Sequence, residues 1–259
     1  MRYNASMPDP VCVVLPVHNP DRLPAAVADW RTALAKLDRP AELVVVDDGS
    51  TPPVELASTR VLRHDARQGF GACLRTALDA TDQPLVATAA LDYPYSPADL
   101  AALLRELDTE HEVIAGKLRP ALVSGVRGGR PAPVFWKAVG VTYRLIARVC
   151  CGFRPEKPPG WLGVRGHWHS WLGWVLFANP LADPDSAFRV YRRELFDLFP
   201  VESDGDFVHA ELVAKTTFCT RLVAEVPLTP SAAPVPAADG AGWRRVFARP
   251  TFTPVVAHG

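Results

Sequence analysis

Two adjacent carboxylates, Asp47 and Asp48, follow the aliphatic run Leu43-Val44-Val45-Val46 and precede Gly49-Ser50. A short run rich in β-branched valines fits a strand buried on both faces at the centre of a parallel sheet. The carboxylates then fall just past the strand's carboxyl end, the edge at which open α/β sheets place their ligands. A polar turn closing a strand has the same composition. A second chemical motif, Gln68-Gly69-Phe70-Gly71, is half of a dinucleotide fingerprint. Its third glycine is missing and its flanking strand is weak, which disfavours a dinucleotide site. His167-x-His169 has a metal-ligand spacing, but no cysteine or further histidine accompanies it, and it reads as loop.

The elements that must carry these residues follow from hydrophobic periodicity. Val11 to Val17 predicts a buried first strand running into the loop Pro16-Val17-His18-Asn19-Pro20, and Leu23 to Leu37 an amphipathic helix ending before Pro40. With the strand at Leu43 they make a βαβ unit. Further strands are predicted at Arg60 to Leu62 and Leu85 to Ala90, a helix opened by Gln68-Gly69-Phe70-Gly71 and running through Leu78, another from Ala98 to Leu107, and a strand at Glu112 to Ala115. This alternation implies an α/β fold built on a mostly parallel layered sheet.

Beyond Lys117 the regularity breaks. Val126 to Pro131 reads as a basic loop, and Val134 to Cys151 as a helix with Lys137, Arg144 and Arg148. Four tryptophans, Trp161, Trp168, Trp171 and Trp174, lie among glycines and prolines. A strand at Phe188 to Tyr191, helices at Arg193 to Phe199 and Phe207 to Phe218, and a strand at Arg221 to Val226 follow. The Pro/Ala-rich remainder reads as partly extended or disordered tail.

At 259 residues the chain can bury a substantial core, and its 28 basic and 28 acidic residues leave no net charge to argue for nucleic acid. The five cysteines show no Cys-x-x-Cys spacing and read as reduced thiols of a cytoplasmic protein. No signal segment is expected, and no apolar run approaches the roughly 18 residues of a membrane span.

Taken in order, Val14-Leu15-Pro16-Val17-His18-Asn19, Val45-Val46-Asp47-Asp48-Gly49-Ser50 and Gln68-Gly69-Phe70-Gly71-Ala72 resemble the nucleotide-sugar half of a family 2 glycosyltransferase of GT-A fold. Asp183 to Arg193, Glu211 to Lys215 and Val223 to Pro227 are similar to its dolichyl-phosphate or polyprenyl-phosphate mannosyltransferase branch. The resemblance implies one GT-A domain over 1–228, with a nucleotide-sugar half at 1–117, an acceptor half at 118–228 and a tail at 229–259.

It further implies a donor site built from Pro16, Asn19, Asp47, Asp48, Gly69 and Gly71, with Asp48 on the base or ribose of a UDP- or GDP-sugar. Asp92 falls on the last carboxylate of the family's Asp-x-Asp metal motif, where Mg2+ or Mn2+ would neutralise the leaving diphosphate. The first Asp is replaced by Ala90, and relatives carry Gly where this chain has Ala187 and often an acid where it has Pro20. A polyprenyl-phosphate acceptor is already an anion and would need cations, for which Arg127, Arg130, Arg189 and Arg192 are available. A sugar hydroxyl would need a base, for which Glu211, His209 and Asp206 are available. Peripheral contact with the cytoplasmic membrane face through the tryptophans is the expectation for location, with packing against the domain as its alternative. The rival reading, favoured by Ala90, is a degenerate relative that binds a nucleotide or glycan without transfer. A sugar-phosphate nucleotidyltransferase ranks last, because Pro16 to Pro20 lacks the Gly-rich basic loop of that class.

Overall fold

The structure, a computed structural model, describes residues 8–91, 95–113, 116–126, 181, 183, 186–229 and 251–253. Strands and helices alternate at the start: β1 (Val11–Val17), α1 (Leu23–Leu34), β2 (Ala41–Asp48), β3 (Arg60–His64), α2 (Phe70–Ala80) and β4 (Leu85–Thr88). A 3-10 turn at Pro97–Asp99, capped by Ser96, leads into α3 (Leu100–Asp108). A separate hairpin, β5 (His111–Val113) and β6 (Gly116–Leu118), precedes β7 (Leu122–Val126). After it come β8 (Arg189–Arg192), α4 (Leu195–Leu198), α5 (Val208–Phe218) and β9 (Val223–Pro227).

Seven strands form one sheet in the order β3-β2-β1-β4-β8-β7-β9. β3, β2, β1 and β4 run parallel, β8 runs antiparallel between β4 and β7, and β9 pairs parallel with β7. Side chains alternate across a strand, so β1 sends Val11, Val13 and Leu15 to one face and Cys12 and Val14 to the other. The first set packs with Val27 and Trp30 of α1 and Leu103 of α3, the second with Leu74 and Ala77 of α2 and Leu212 of α5. Helices on both faces explain the unbroken apolar runs of β1 and β2.

The predicted elements recur with shifted ends. Asp47 and Asp48 are the last two residues of β2, paired with Arg63 and His64 of β3, and not residues beyond the strand. α1 stops at Leu34 because Lys36 and Leu37 turn their N–H groups to Ala33 and Leu34, three residues back. β4 ends at Thr88. The strand expected at 112–115 is the first arm of the small hairpin, and β7 takes in Val126, where the basic loop was expected to begin, with four residues before it for which no element was expected. The helix expected at 134–151 and the tryptophans lie outside the described residues.

The antiparallel β8 decides one site assignment. Its register sets Arg189 opposite Thr88 and Arg192 opposite Leu85. Arg189 is therefore at the carboxyl edge of β4, and Arg192 is at the opposite edge of the sheet. There Arg192 donates to the carbonyls of Pro120 and Leu107, at 3.1 and 2.8 Å. Its expected place at the ligand edge is corrected: the reversed strand direction carries it away from Asp48.

α2 meets the 201–206 loop at very close range. A Cβ on Gly71 would sit 1.9 Å from the Ser203 carbonyl oxygen, and one on Gly69, whose φ is +106°, 2.6 Å from that of Asp204. These glycines allow backbone to touch backbone. Gly71→Ala is expected to destabilise the protein by at least about 1–3 kcal/mol, the usual range for overpacking, as read from the denaturant midpoint. An unchanged midpoint would contradict this packing.

Candidate functional site

β1, β2 and β3 end side by side at one edge of the sheet, and α2 starts there. Asp48, 4% exposed, accepts three hydrogen bonds at 2.8 Å. His64 Nδ1 and the Gln68 N–H reach Oδ1, and the Gly69 N–H reaches Oδ2. The carboxylate thereby pins the two residues that precede α2. Burial pushes the Asp48 carboxyl up, but the bonds from His64, Gln68 and Gly69 outweigh it and hold the group below the usual carboxylate range.

Asp47, with no exposed surface, takes the next turn in hand. It accepts from the Ser50 N–H at 2.9 Å, the Val54 N–H at 3.0 Å and Arg63 at 2.8 Å. Burial opposes its ionisation as well, and the hydrogen bonds of Ser50 and Val54 with the charge of Arg63 win, so its pKa also lies low. Where direct contact with a ligand was expected, the Asp47 oxygens hold the loop that begins at Gly49 and the Asp48 oxygens hold His64, Gln68 and Gly69, so both carboxylates act on their own chain.

The β1–α1 turn joins the same edge. Pro16 lies opposite Val46 in the sheet. His18 Nδ1 donates to the Asp48 carbonyl at 2.8 Å, and His18 Nε2 accepts from Asn19 Nδ2 at 3.2 Å. Asn19, at φ +47°, donates its N–H to Ser50 Oγ and accepts the Thr51 N–H at 2.8 Å. His18 and Asn19 are exposed, so this turn presents polar side chains to solvent at the ligand edge. A cleft of about 380 Å3 beside it is lined by Asn19, Pro20, Thr51 and Pro52 among others.

The far wall of the site is the 201–206 loop. Arg75 of α2 donates to the carbonyls of Val201 and Ser203 and pairs with Asp204, whose own carbonyl accepts the Ala72 N–H. From beneath, Glu211 accepts the N–H groups of Glu202 and Ser203, both at 2.8 Å, and Lys215 Nζ at 2.9 Å. Glu211 has no exposed surface and both oxygens engaged, which removes it as an acceptor-facing base. His209 is 2% exposed, with its ring against Phe70 at 4.4 Å between centroids. Its expected role as a base facing an acceptor is corrected on the same ground. Asp206, just before α5, is half-buried.

Arg189 is at the ligand edge but wholly buried, its Nε donating to Ser124 Oγ at 3.2 Å and its Nη1 to the His209 carbonyl. Arg127, Arg130 and Asp92 lie outside the described residues, as do His167 and His169. Ala90 is half-buried, and the Tyr95 hydroxyl bonds both its N–H and its carbonyl, the latter at 2.6 Å. No signal in the sequence pointed to His64 or Arg75, whose partners stand far away along the chain or in another element.

Asp48, His64 and Cys73 bring possible ligand atoms within 4.8 Å of one another. The carboxylate already takes three donors, and burial pushes the Cys73 thiol up and keeps it protonated. The trio is a hydrogen-bonded network and a poor fit to a metal ion, which takes thiolate and not thiol. Among the described residues no helix is long and apolar enough to cross a membrane.

An open, mostly parallel sheet with helices on both faces and polar loops gathered at its carboxyl edge defines a GT-A-like α/β protein. The family model for glycosyl transferase family 2 matches residues 12–154, more than half of the chain, and the chain belongs to that family. No curated protein sequence matches it. Glucosyl-3-phosphoglycerate synthase from Mycobacterium tuberculosis, in complex with Mn2+, UDP-glucose and phosphoglyceric acid, is similar at 22% identity and a TM-score of 0.57. That match covers 88% of this chain and 73% of the synthase. A second structure of the synthase matches at 23% over 87% and 74%, with the same TM-score. A further mycobacterial protein matches at 22% over 88% and 68%, again at 0.57. At these identities the likeness is one of fold.

Because Asp47 and Asp48 titrate below their unfolded-state range in the native protein, each contributes stability that is present above about pH 4 and lost as pH falls through its native pKa. Asp48→Asn is expected to be less stable at pH 7 and to lose less stability than the wild type on acidification from pH 5 to pH 2. Denaturant unfolding across that range measures both slopes. Parallel slopes would contradict the ionised, hydrogen-bonded Asp48.

Proposed function

We propose that this protein transfers a hexose from a UDP- or GDP-sugar to a phosphate-bearing acceptor, with inversion at the anomeric carbon. The observation that carries the donor half is the Asp48-pinned start of α2, set beside the polar β1 turn at the ligand edge of a family 2 chain. That edge offers the exposed His18 and Asn19 to the nucleotide, while Asp47 and Asp48 keep the surrounding loops in register. The UDP-glucose and Mn2+ held by the synthase of similar fold support a nucleotide-sugar donor and a divalent ion.

In the reaction a nucleophilic oxygen attacks the anomeric carbon, the bond to the β-phosphate oxygen breaks, and the nucleoside diphosphate leaves. A divalent ion supplies charge neutralisation to that leaving group. Asp92 is the residue that would hold it. Ala90 contributes no side-chain ligand, so the remaining ligands would come from phosphate oxygens and water, a pattern Mg2+ accepts.

The burial of Glu211 and His209 favours an acceptor that needs no base from either of them. A phosphate monoester is anionic at neutral pH and attacks without one. A polyprenyl phosphate at the cytoplasmic membrane face fits this chemistry; a small phosphorylated acid such as the one the synthase binds also carries a hydroxyl, and attack through that hydroxyl would need a base for its proton. Arg127 and Arg130 suit the task of holding the acceptor phosphate, since the chain leaves β7 for them at the ligand edge. A glycan hydroxyl acceptor would rely on Asp206. Ala90 favours a second reading, a relative that binds the nucleotide and transfers nothing.

The test is a transfer assay with labelled UDP- and GDP-hexoses against polyprenyl phosphate in vesicles, phosphoglyceric acid and a neutral glycan. Transfer to a phosphate-bearing acceptor is expected, with Asp92→Ala lowering kcat/KM by about 100-fold, on the scale of a metal ion's several kcal/mol. Nucleotide binding without turnover on any acceptor would establish the non-catalytic reading. Full activity of Asp92→Ala in the presence of chelator would overturn the metal role.

A further inference from the structure

Three donors converge on the Asp48 carboxylate, and one of them is a side chain outside every motif. His64 closes β3, is almost fully buried, and has both ring nitrogens engaged: Nδ1 with Asp48 Oδ1 and Nε2 with Thr76 Oγ1, each at 2.8 Å. Thr76 lies on α2, the helix whose approach Asp48 holds through Gln68 and Gly69. The contacts make a closed ring. Asp48 fixes residues 68 and 69, α2 runs on to Thr76, Thr76 holds His64, and His64 returns to Asp48.

An ionised carboxylate only accepts, so Nδ1 carries the proton facing Asp48. With the imidazole neutral, Nε2 accepts from the hydroxyl of Thr76, which completes the ring. Without the imidazole, Oδ1 would lose a donor in a place too buried for water to replace it, and the carboxylate could turn away from the Gln68 N–H. Cys73, with Sγ 4.0 Å from His64 Nδ1, fills the space beside the ring and donates no short bond to it.

We propose that His64, locked by Thr76, is a positioning residue for the donor site: it orients Asp48 so that Gln68, Gly69 and the first turn of α2 stand where the nucleotide binds. This rests on the donor reading above. His64 touches no substrate in this role and acts through Asp48.

Two conservative replacements separate this role from simple packing. The amide of His64→Asn can donate from about the place of Nδ1 and keep the bond to Asp48, whereas that of His64→Gln reaches toward Nε2 and keeps only Thr76. The readouts are amide hydrogen exchange at Gln68 and Gly69 in the ligand-free protein, and the dissociation constants of UDP and GDP by calorimetry. Expected are wild-type exchange and affinity for His64→Asn, and, for His64→Gln, faster exchange at both amides with nucleotide affinity weakened about tenfold, as for a lost bond to a charged group. Equal behaviour of the two variants, whether both intact or both impaired, would overturn the proposal. So would faster exchange in His64→Gln with unchanged affinity. Should the wild type bind neither nucleotide, the donor reading itself fails, and the exchange data still decide whether His64 orients Asp48.

Discussion

The carboxyl edge of the parallel strands depends on one buried carboxylate. Asp48 closes the strand nearest the centre of its motif, and its two oxygens collect an imidazole and two backbone N–H groups from a segment some twenty residues further along. Charge-assisted bonds of this kind are about twice as strong as neutral ones, and burial makes their loss expensive. The chain could not leave β3 and enter α2 at another place without stranding that charge. Asp47 repeats the device on the opposite side, holding the turn at Ser50 and Val54 while Arg63 balances it.

A second buried ionic cluster supports the other wall. Glu211 and Lys215, one turn apart on α5, hold the 202–203 backbone and Glu202. The loop they fix presses on Gly69 and Gly71 with no room for a side chain. Removing one partner of such a buried pair typically costs about 3–5 kcal/mol, so the cluster ties the architecture of the late strands to the shape of the early site. Residues 251–253 join it, with Thr251 bonding Glu202 through N–H and hydroxyl, Thr253 reaching the Leu198 carbonyl, and Phe252 lying against Phe218. A segment read as tail is thus, at these three residues, bonded to the body.

Most of the sheet was legible in the sequence because buried parallel strands and amphipathic helices write their periodicity locally. Val11–Val17, Leu43–Val46 and the α3 leucines are examples. β7 was not, since five residues between a proline and a basic run carry no distinguishing period. The site was legible as an edge and less so as a set of roles. Asp48 stood out by type and position, yet whether a carboxylate faces a ligand or its own backbone is decided by chain sixteen to twenty-one residues away. Arg192 and Glu211 were misplaced for the same reason: an antiparallel pairing and a loop docking are long-range events that a local motif does not encode. The glycines of Gln68-Gly69-Phe70-Gly71 were informative as glycines, but what they admit is a neighbouring loop.

The proposed donor site puts the nucleotide at the edge organised by Asp48. The most direct measurement is amide hydrogen exchange of the wild-type protein with and without saturating UDP or GDP, in Mn2+. Slowed exchange confined to residues 17–19 and 68–72 is the predicted result. Protection elsewhere with these two segments unchanged, or no effect of either nucleotide, would contradict it.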